Sequence, residues 1–292
     1  MKPVFQQPVN LPLPLKMLLR DWRAGELRVL ALALIIAVAS VTSVAFFADR
    51  VWQALTLEAN QMLGADVLLV SDHPFAAELR EEIATRGLAR VDGVSFVSMA
   101  RAGEATQLAG VKAVSAGYPL RGKLRIAPRL NAEDAETDAV PPRGSVWLDE
   151  RLSAALGVEV GQQIELGNAR FTVGAVLTLE PDRGVSFFNI APRLLMRVDD
   201  LPATGLIQTG SRASYQLYVA GARAATEAYE SWVKPKLGQG QRIESLGNAR
   251  PEVRAGLDRA QQFLGLSAML AVILAAVAIA LSTRRYTQRH LD

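Results

Sequence analysis

The chain has 292 residues with 32 Lys and Arg, 29 Asp and Glu and no cysteine, so a disulfide framework and a thiolate metal site are both excluded. Its formal net charge of +3 is unevenly placed: residues 49–259 carry 26 acidic and 24 basic side chains, and the two ends together carry 3 and 8. A basic balance confined to the ends argues for anionic lipid headgroups as partners and against nucleic acid.

Pro3, Pro8, Pro12 and Pro14 deny residues 1–14 a regular helix and mark them as a loose tail. From Leu15, the apolar Leu18, Leu19, Trp22 and Leu27 alternate at near-helical spacing with Lys16, Arg20, Arg23 and Glu26. This reads either as a short amphipathic helix on the cytoplasmic membrane surface, with Trp22 at headgroup level, or as the first turns of the run that follows. Residues 29–48 are uncharged and apolar, about 30 Å long as a helix and enough to cross a bilayer core. The run exceeds a signal-peptide core and lacks a clean cleavage site, so an uncleaved anchor is expected. Apolar spacing continues through Val51, Leu55, Leu57, Met62 and Leu63 to Gly64, a helix stop.

Beyond Gly64 strand and helix signals alternate. Residues 65–71 read as a strand, 74–86 as a helix opened by Pro74, and 94–100 and 106–115 as strands. Residues 127–144 are acidic and without apolar periodicity, which predicts an exposed connection between two subdomains. Glu133, Asp134, Glu136 and Asp138 lack the glycine and terminal glutamate of a calcium loop. A second unit follows, with a helix over 149–156 and strands over 162–166 and 170–179 joined by a Gly167-Asn168 hairpin turn. The motif from Gly157 to Leu166 is similar to the first strand pair of a small barrel. Strands over 194–198 and 214–220 and a helix over 223–236 complete an α+β domain spanning 49–259.

Pro251 opens a helical approach to a second uncharged run, residues 260–283, so both membrane helices are expected to extend outward as a stalk. Stripes of small residues, Ala33 with Ala37 and Ser267 with Ala271 and Ala275, fit close helix packing. Within fifteen residues of the runs, the chain-end flanks hold seven Lys or Arg and the inner flanks four. Both termini, 1–28 and 284–292, are therefore placed in the cytoplasm.

The search for chemistry finds no phosphate-binding loop, no His-Glu-x-x-His and no Gly-x-Ser-x-Gly. His73 and His290 read as surface residues, and neighbouring carboxylates such as Glu81 with Glu82 point apart on a helix. No cofactor and no catalytic residue is expected. Two segments are too particular for filler: Gly117-Tyr118-Pro119-Leu120-Arg121-Gly122 and Glu180-Pro181-Asp182-Arg183-Gly184. Each combines turn residues with an arginine able to hold a carboxylate, either to pin its own loop or to meet a ligand or partner. Tyr118, Arg121, Asp182 and Arg183 are the candidate outer contacts; Arg20, Trp22, Arg23, Arg284 and Arg285 are the candidate membrane or partner contacts.

The stretch Leu18 to Arg28, then Phe46-Phe47-Ala48-Asp49-Arg50 and Leu63-Gly64-Ala65-Asp66, resembles the start of permeases in the FtsX and MacB superfamily. The two turn segments, Phe187-Phe188-Asn189-Ile190-Ala191-Pro192-Arg193 and the terminal Arg284-Arg285-Tyr286 are similar to its YbbP-like branch. The resemblance implies a transmitter with a periplasmic domain after its first membrane helix and a separate, YbbA-like cytoplasmic ATPase as partner. It further implies export or release of hydrophobic or lipid-like molecules from a bacterial inner membrane, with homo-oligomers or periplasmic partners as options. Family sequences run on beyond the position of Asp292, so a fragment or truncated product is expected. The same architecture also fits a membrane-anchored periplasmic sensor that signals inward.

Overall fold

The structure is a computed structural model that describes residues 26–183, 191–208 and 210–244, with helical positions scattered between 259 and 284. The expected tail and the amphipathic segment up to residue 25 lie outside the described residues. The chain divides into two compact units, one drawn from its two ends and one formed by residues 54–251.

Helix α1 (Glu26–Leu63) is a single element of 38 residues. It stops where expected, at Gly64, whose φ of +72° is a left-handed conformation that glycine adopts without a Cβ clash. Leu32, Leu34, Ile35, Val38, Phe46 and Phe47 on α1 are exposed, as are Phe263, Leu266, Met269, Leu270, Leu274 and Val277 near the other chain end. Side chains are described at only some positions of these helices. Among the described residues, no helix is long and apolar enough to cross a membrane.

In residues 54–251 the elements follow as β1 (Val67–Ser71), α2 (Ala77–Thr85), β2 (Ala89–Ala102), β3 (Ala105–Val114), β4 (Leu124–Ala127), β5 (Ala135–Thr137) and β6 (Ser145–Asp149). Then come α3 (Glu150–Leu156), β7 (Gln163–Leu166), β8 (Ala169–Leu179), β9 (Arg193–Arg197), α4 (Leu201–Thr204), β10 (Ser214–Ala220), α5 (Arg223–Val233) and β11 (Gln241–Glu244). All described strands belong to one sheet, ordered β11-β1-β10-β2-β3-β9-β6-β8-β4-β5, with β7 paired to both β2 and β8. The β3–β9 and β6–β8 pairs are parallel and the others antiparallel.

Because β7 bridges β2 and β8, the pairs β2-β3-β9-β6-β8-β7 return to β2 and close a ring of six strands. Val94, Phe96, Val111, Ala113, Val146, Leu148, Ile164, Phe171, Leu194 and Met196 fill the ring together with Leu152 and Leu156 of α3. Outside it, β10, β1 and β11 continue from β2 as a layer. Period-two alternation splits that layer between two cores. Val67 and Leu69 of β1, with Leu217 and Val219 of β10, pack on α2 and α5. Leu68, Val70 and Tyr218 face the opposite way, into a core shared with Val114, Tyr118, Leu124, Trp147 and Leu195.

Several expectations are corrected. The helix expected from Pro74 starts at Ala77: Ala76 is extended, and Phe75 before it is buried in the core beneath α2 with its carbonyl accepting from Arg80. The strand expected over 94–100 runs from Ala89 to Ala102, since β10 pairs with its first half and β3 with its second. Residues 127–144 are not a bare connection: β5 pairs with β4, and Asp134 and Asp138 are held by Arg125 and Lys123. Of the motif resembling a strand pair, only β7 is a strand, Glu159 to Gln162 forming a turn. Strands before and after 127–144 share the one sheet, so that segment is not a border between separate sheets. The expected hairpin is present, with Leu166 opposite Ala169 around Gly167-Asn168.

Two glycines separate backbone strain from crowding. Gly157 (φ +63°) has open space where a Cβ would stand, whereas a Cβ on Gly167 (φ +60°) would clash with the Thr204 carbonyl oxygen and with Leu206. Gly157→Ala is expected to cost only left-handed strain, about 1–2 kcal/mol. Gly167→Ala adds overpacking and is expected to cost on the order of 3 kcal/mol or more. Denaturant unfolding of the two variants in parallel checks the order.

Candidate functional site

Strand β3 carries a cation where its neighbours are apolar. Val111 and Ala113 point into the closed ring, so alternation sends Lys112 outward, into the second core. There its side chain is 1% exposed. A charge so placed must be paired and hydrogen-bonded; two segments supply its partners, and two more hold those partners in turn. Lys112 Nζ lies 2.6 and 2.5 Å from the two Asp182 carboxylate oxygens, 2.9 Å from Glu180 Oε1 and 2.7 Å from the Tyr118 hydroxyl. The Tyr218 hydroxyl donates to Asp182 Oδ2 at 2.5 Å. The Tyr118 hydroxyl shares its proton between Asp182 Oδ1 at 2.5 Å and Glu180 Oε1 at 3.1 Å. Arg193, at the start of β9, donates from Nε to Glu180 Oε2 at 2.7 Å.

The two tyrosine rings meet edge to face, 5.4 Å between centroids, and the Lys112 ammonium lies 4.4 Å from the Tyr118 centroid. The cluster is therefore two cations and two carboxylates wrapped in phenol rings. Burial, reinforced by the Asp182 and Glu180 charges, pushes the Tyr118 phenol well above its ordinary 10.0. Burial and Asp182 do the same to Tyr218. For Glu180, burial alone would raise the carboxyl, but the charges of Lys112 and Arg193 outweigh it and bring it from 4.5 down to about 2. At neutral pH both phenols stay protonated and Glu180 stays ionised. Among the described residues, no group of His, Asp and Glu is arranged to hold a metal ion.

The candidate residues from the two turn segments converge, but inward. Tyr118 is fully buried and Asp182 is 6% exposed, so neither presents an outer contact surface. Arg121 forks onto Asp66, with Nε and Nη2 at 2.9 and 2.7 Å from its two oxygens. Arg183 donates to Asp149 at 2.5 Å, the carboxylate that also caps α3 through the Arg151 amide. Both arginines thus pin their own loops. Arg284 is an exposed helical position, while Arg20, Trp22, Arg23 and Arg285 lie outside the described residues. His73 is exposed and pairs with Asp72.

Sequence reading missed Lys112, Glu180, Arg193 and Tyr218 as members of one site. A usable signal existed for Lys112, a lone cation in the apolar run Ala109-Gly110-Val111-Lys112-Ala113-Val114. A strand buried on both faces reads as a continuous apolar run, and a charge inside it demands a counter-charge from elsewhere.

Residues 29–235 match the MacB-like periplasmic core domain family. The chain is 34% identical over 273 residues to YbbP of Escherichia coli (strain K12), described as an uncharacterized ABC transporter permease. That alignment covers 94% of this chain and 33% of YbbP, so the chain spans about a third of the relative's length. Among solved structures it is similar to the periplasmic region of MacB from Actinobacillus actinomycetemcomitans (14% identity, 72% of this chain and 97% of that one, TM-score 0.39). It is also similar to the extracellular domain of the noncanonic ABC-type transporter YknZ from Gram-positive bacteria (12% identity, 61% and 100%, TM-score 0.38).

Removing the central cation leaves two buried carboxylates facing each other. Lys112→Met is therefore expected to destabilise residues 54–251 by about 3–5 kcal/mol, read from denaturant unfolding of the chain. Glu180 is more acidic folded than unfolded, so its ionisation contributes stability that is complete above about pH 4.5 and lost as the pH falls toward 2. Melting temperatures across that interval should fall more steeply for the wild-type chain than for Glu180→Gln.

Proposed function

The chain belongs to the MacB-like periplasmic core domain family, and on that premise we propose that it is part of the membrane subunit of an ABC transporter of the MacB and FtsX type. Residues 29–48 and 260–283 cross the inner membrane with both chain ends in the cytoplasm, and residues 49–259 are periplasmic. Arg20, Trp22, Arg23, Arg284 and Arg285 sit at the cytoplasmic headgroups, where basic and aromatic side chains are favoured. A separate cytoplasmic ATPase, YbbA-like, hydrolyses ATP. The subunit passes that cycle to the periplasmic domain, for the export or release of hydrophobic or lipid-like molecules, and works as an oligomer or with a periplasmic partner.

The observation that carries this reading is the order of elements along the chain. A 38-residue helix with exposed Leu32, Ile35, Val38, Phe46 and Phe47 leads into a domain of this family. Large apolar side chains left out of any core need an apolar solvent, and a bilayer supplies one. The buried cluster fits the same role: Lys112, Glu180, Asp182 and Arg193 satisfy one another, which suits a body that moves as a unit more than a site that binds and releases.

Two measurements test the proposal on the full-length reading frame. Protease added to intact spheroplasts should digest residues within 49–259; survival of that region there, with loss after permeabilisation, refutes the topology. The purified protein should also retain a cytoplasmic ATPase and alter its rate of ATP hydrolysis. A protein that binds no ATPase but responds to a periplasmic ligand is a sensor instead.

A further inference from the structure

One carboxylate gathers the end of α1, the turn after β3 and the end of β10. Asp66 Oδ1 accepts from Asn60 Nδ2, in the last turn of α1, at 3.0 Å and from Arg121 Nε at 2.9 Å. Its Oδ2 accepts from Arg121 Nη2 at 2.7 Å and from the Gly221 amide, just past β10, at 3.0 Å. Four donors fill the four lone-pair positions of an ionised carboxylate. Main-chain bonds run alongside: the Arg121 amide donates to the Gly64 carbonyl and the Asp66 amide to the Val219 carbonyl, both at 3.0 Å. Arg121 Nη2 also reaches the Gly221 carbonyl at 3.3 Å.

The same segments touch without side chains between them. A Cβ on Gly122 would stand 3.0 Å from the Gln61 carbonyl oxygen, and one on Gly64 would meet Pro119, Asp182 and Tyr218 at 3.6–3.8 Å. Yet several described side chains in the last turns of α1 stand in solvent. Leu57 is 60% exposed, Met62 is 47% exposed, and Glu58 and Gln61 are exposed as well. Among the described side chains of these turns, Leu63 packs against the second core, and a polar lock stands beside that contact.

We propose that Asp66 and Arg121, with Asn60, are positioning residues that make the end of α1 and strands β1 and β10 move as one body. Asn60 belongs to the helix, Asp66 to the junction, Arg121 to the turn that also carries Tyr118, and Gly221 to the exit of β10. Displacement of the helix end thus reaches the sheet through charge-assisted, bidentate bonds, which resist shear better than single neutral ones. That this stiffness serves transmission from an ATPase rests on the permease reading above; the lock itself does not.

The chain has no cysteine of its own, so cysteines placed at the exposed Ala54, on α1, and Glu104, at the β2–β3 turn, can carry spin labels in the full chain in lipid nanodiscs. The expected result is a narrow label-to-label distance distribution in the parent. Asp66→Asn and Asn60→Ala should broaden it, with Arg121→Lys, which keeps charge but loses the fork, falling between. Asn60→Ala removes one side-chain amide and should leave the melting temperature within about 2 °C. It keeps the test decisive should Asp66→Asn fail to fold. Unchanged widths in Asn60→Ala, or broadening that appears only together with a lowered melting temperature, overturn the proposal. Broadening in a chain that retains no ATPase upholds the lock while the permease reading falls.

Discussion

A single buried ammonium decides how the segments of this domain are joined. β3 belongs to a ring whose interior it lines with the apolar Val111 and Ala113, and Lys112 sits on the outer wall of that ring with its side chain 1% exposed. An ion removed from water costs several kcal/mol unless other groups replace its hydration. Here the replacements come from separate stretches of sequence, Tyr118 after β3 and Glu180 and Asp182 after β8, and the two carboxylates are held in turn by Arg193 opening β9 and Tyr218 on β10. Each contributor must be in place before the charge is satisfied, so the ring, its covering loops and the β10 layer are tied to one arrangement. Replacing such a network by apolar residues can leave stability unchanged; what the network adds is the definition of which segments meet.

The second polar junction extends that logic to the helix. Tyr118 and Arg121 lie three residues apart in one turn, the first serving the Lys112 cluster and the second serving Asp66. Tyr218 and Gly221 do the same at the end of β10. Cluster and lock are thus adjacent stations on the same two segments, and the end of α1 rests on both through the close approach of Gly64 to Pro119, Asp182 and Tyr218. Dispersion contacts are non-directional and let surfaces slide, whereas bidentate ionic bonds fix register.

Much of the fold was legible locally. The end of α1 at Gly64, the capped helix α3 and the two-residue turn at Gly167-Asn168 each rest on chemistry confined to a few neighbouring residues, and each lies where that chemistry puts it. Strands β1, β3, β8, β9 and β10 were readable from apolar runs. Elements whose signal is borrowed from a partner were not. β5, with three exposed or half-buried residues, is a strand because β4 pairs with it, and β11 because β1 does. α2 starts late because the core beneath it claims Phe75 and the chain stays extended at Ala76.

The candidate site divides along the same line. Sequence alone determined that the segments around Tyr118 to Arg121 and Glu180 to Arg183 were special, because proline, glycine and arginine at those spacings restrict the backbone and offer a fixed fork of donors. It also set apart two long uncharged apolar runs, residues 29–48 and 260–283, from which membrane spans are expected. Only the tertiary structure decided that those segments face inward. Whether a charged side chain meets water or a counter-charge depends on what other strands bring to it, and the closure of a six-stranded ring through β7 is a property of pairing between residues as distant in sequence as Gly110 and Arg193. Periodicity says which way Lys112 points; the sheet says what is waiting there.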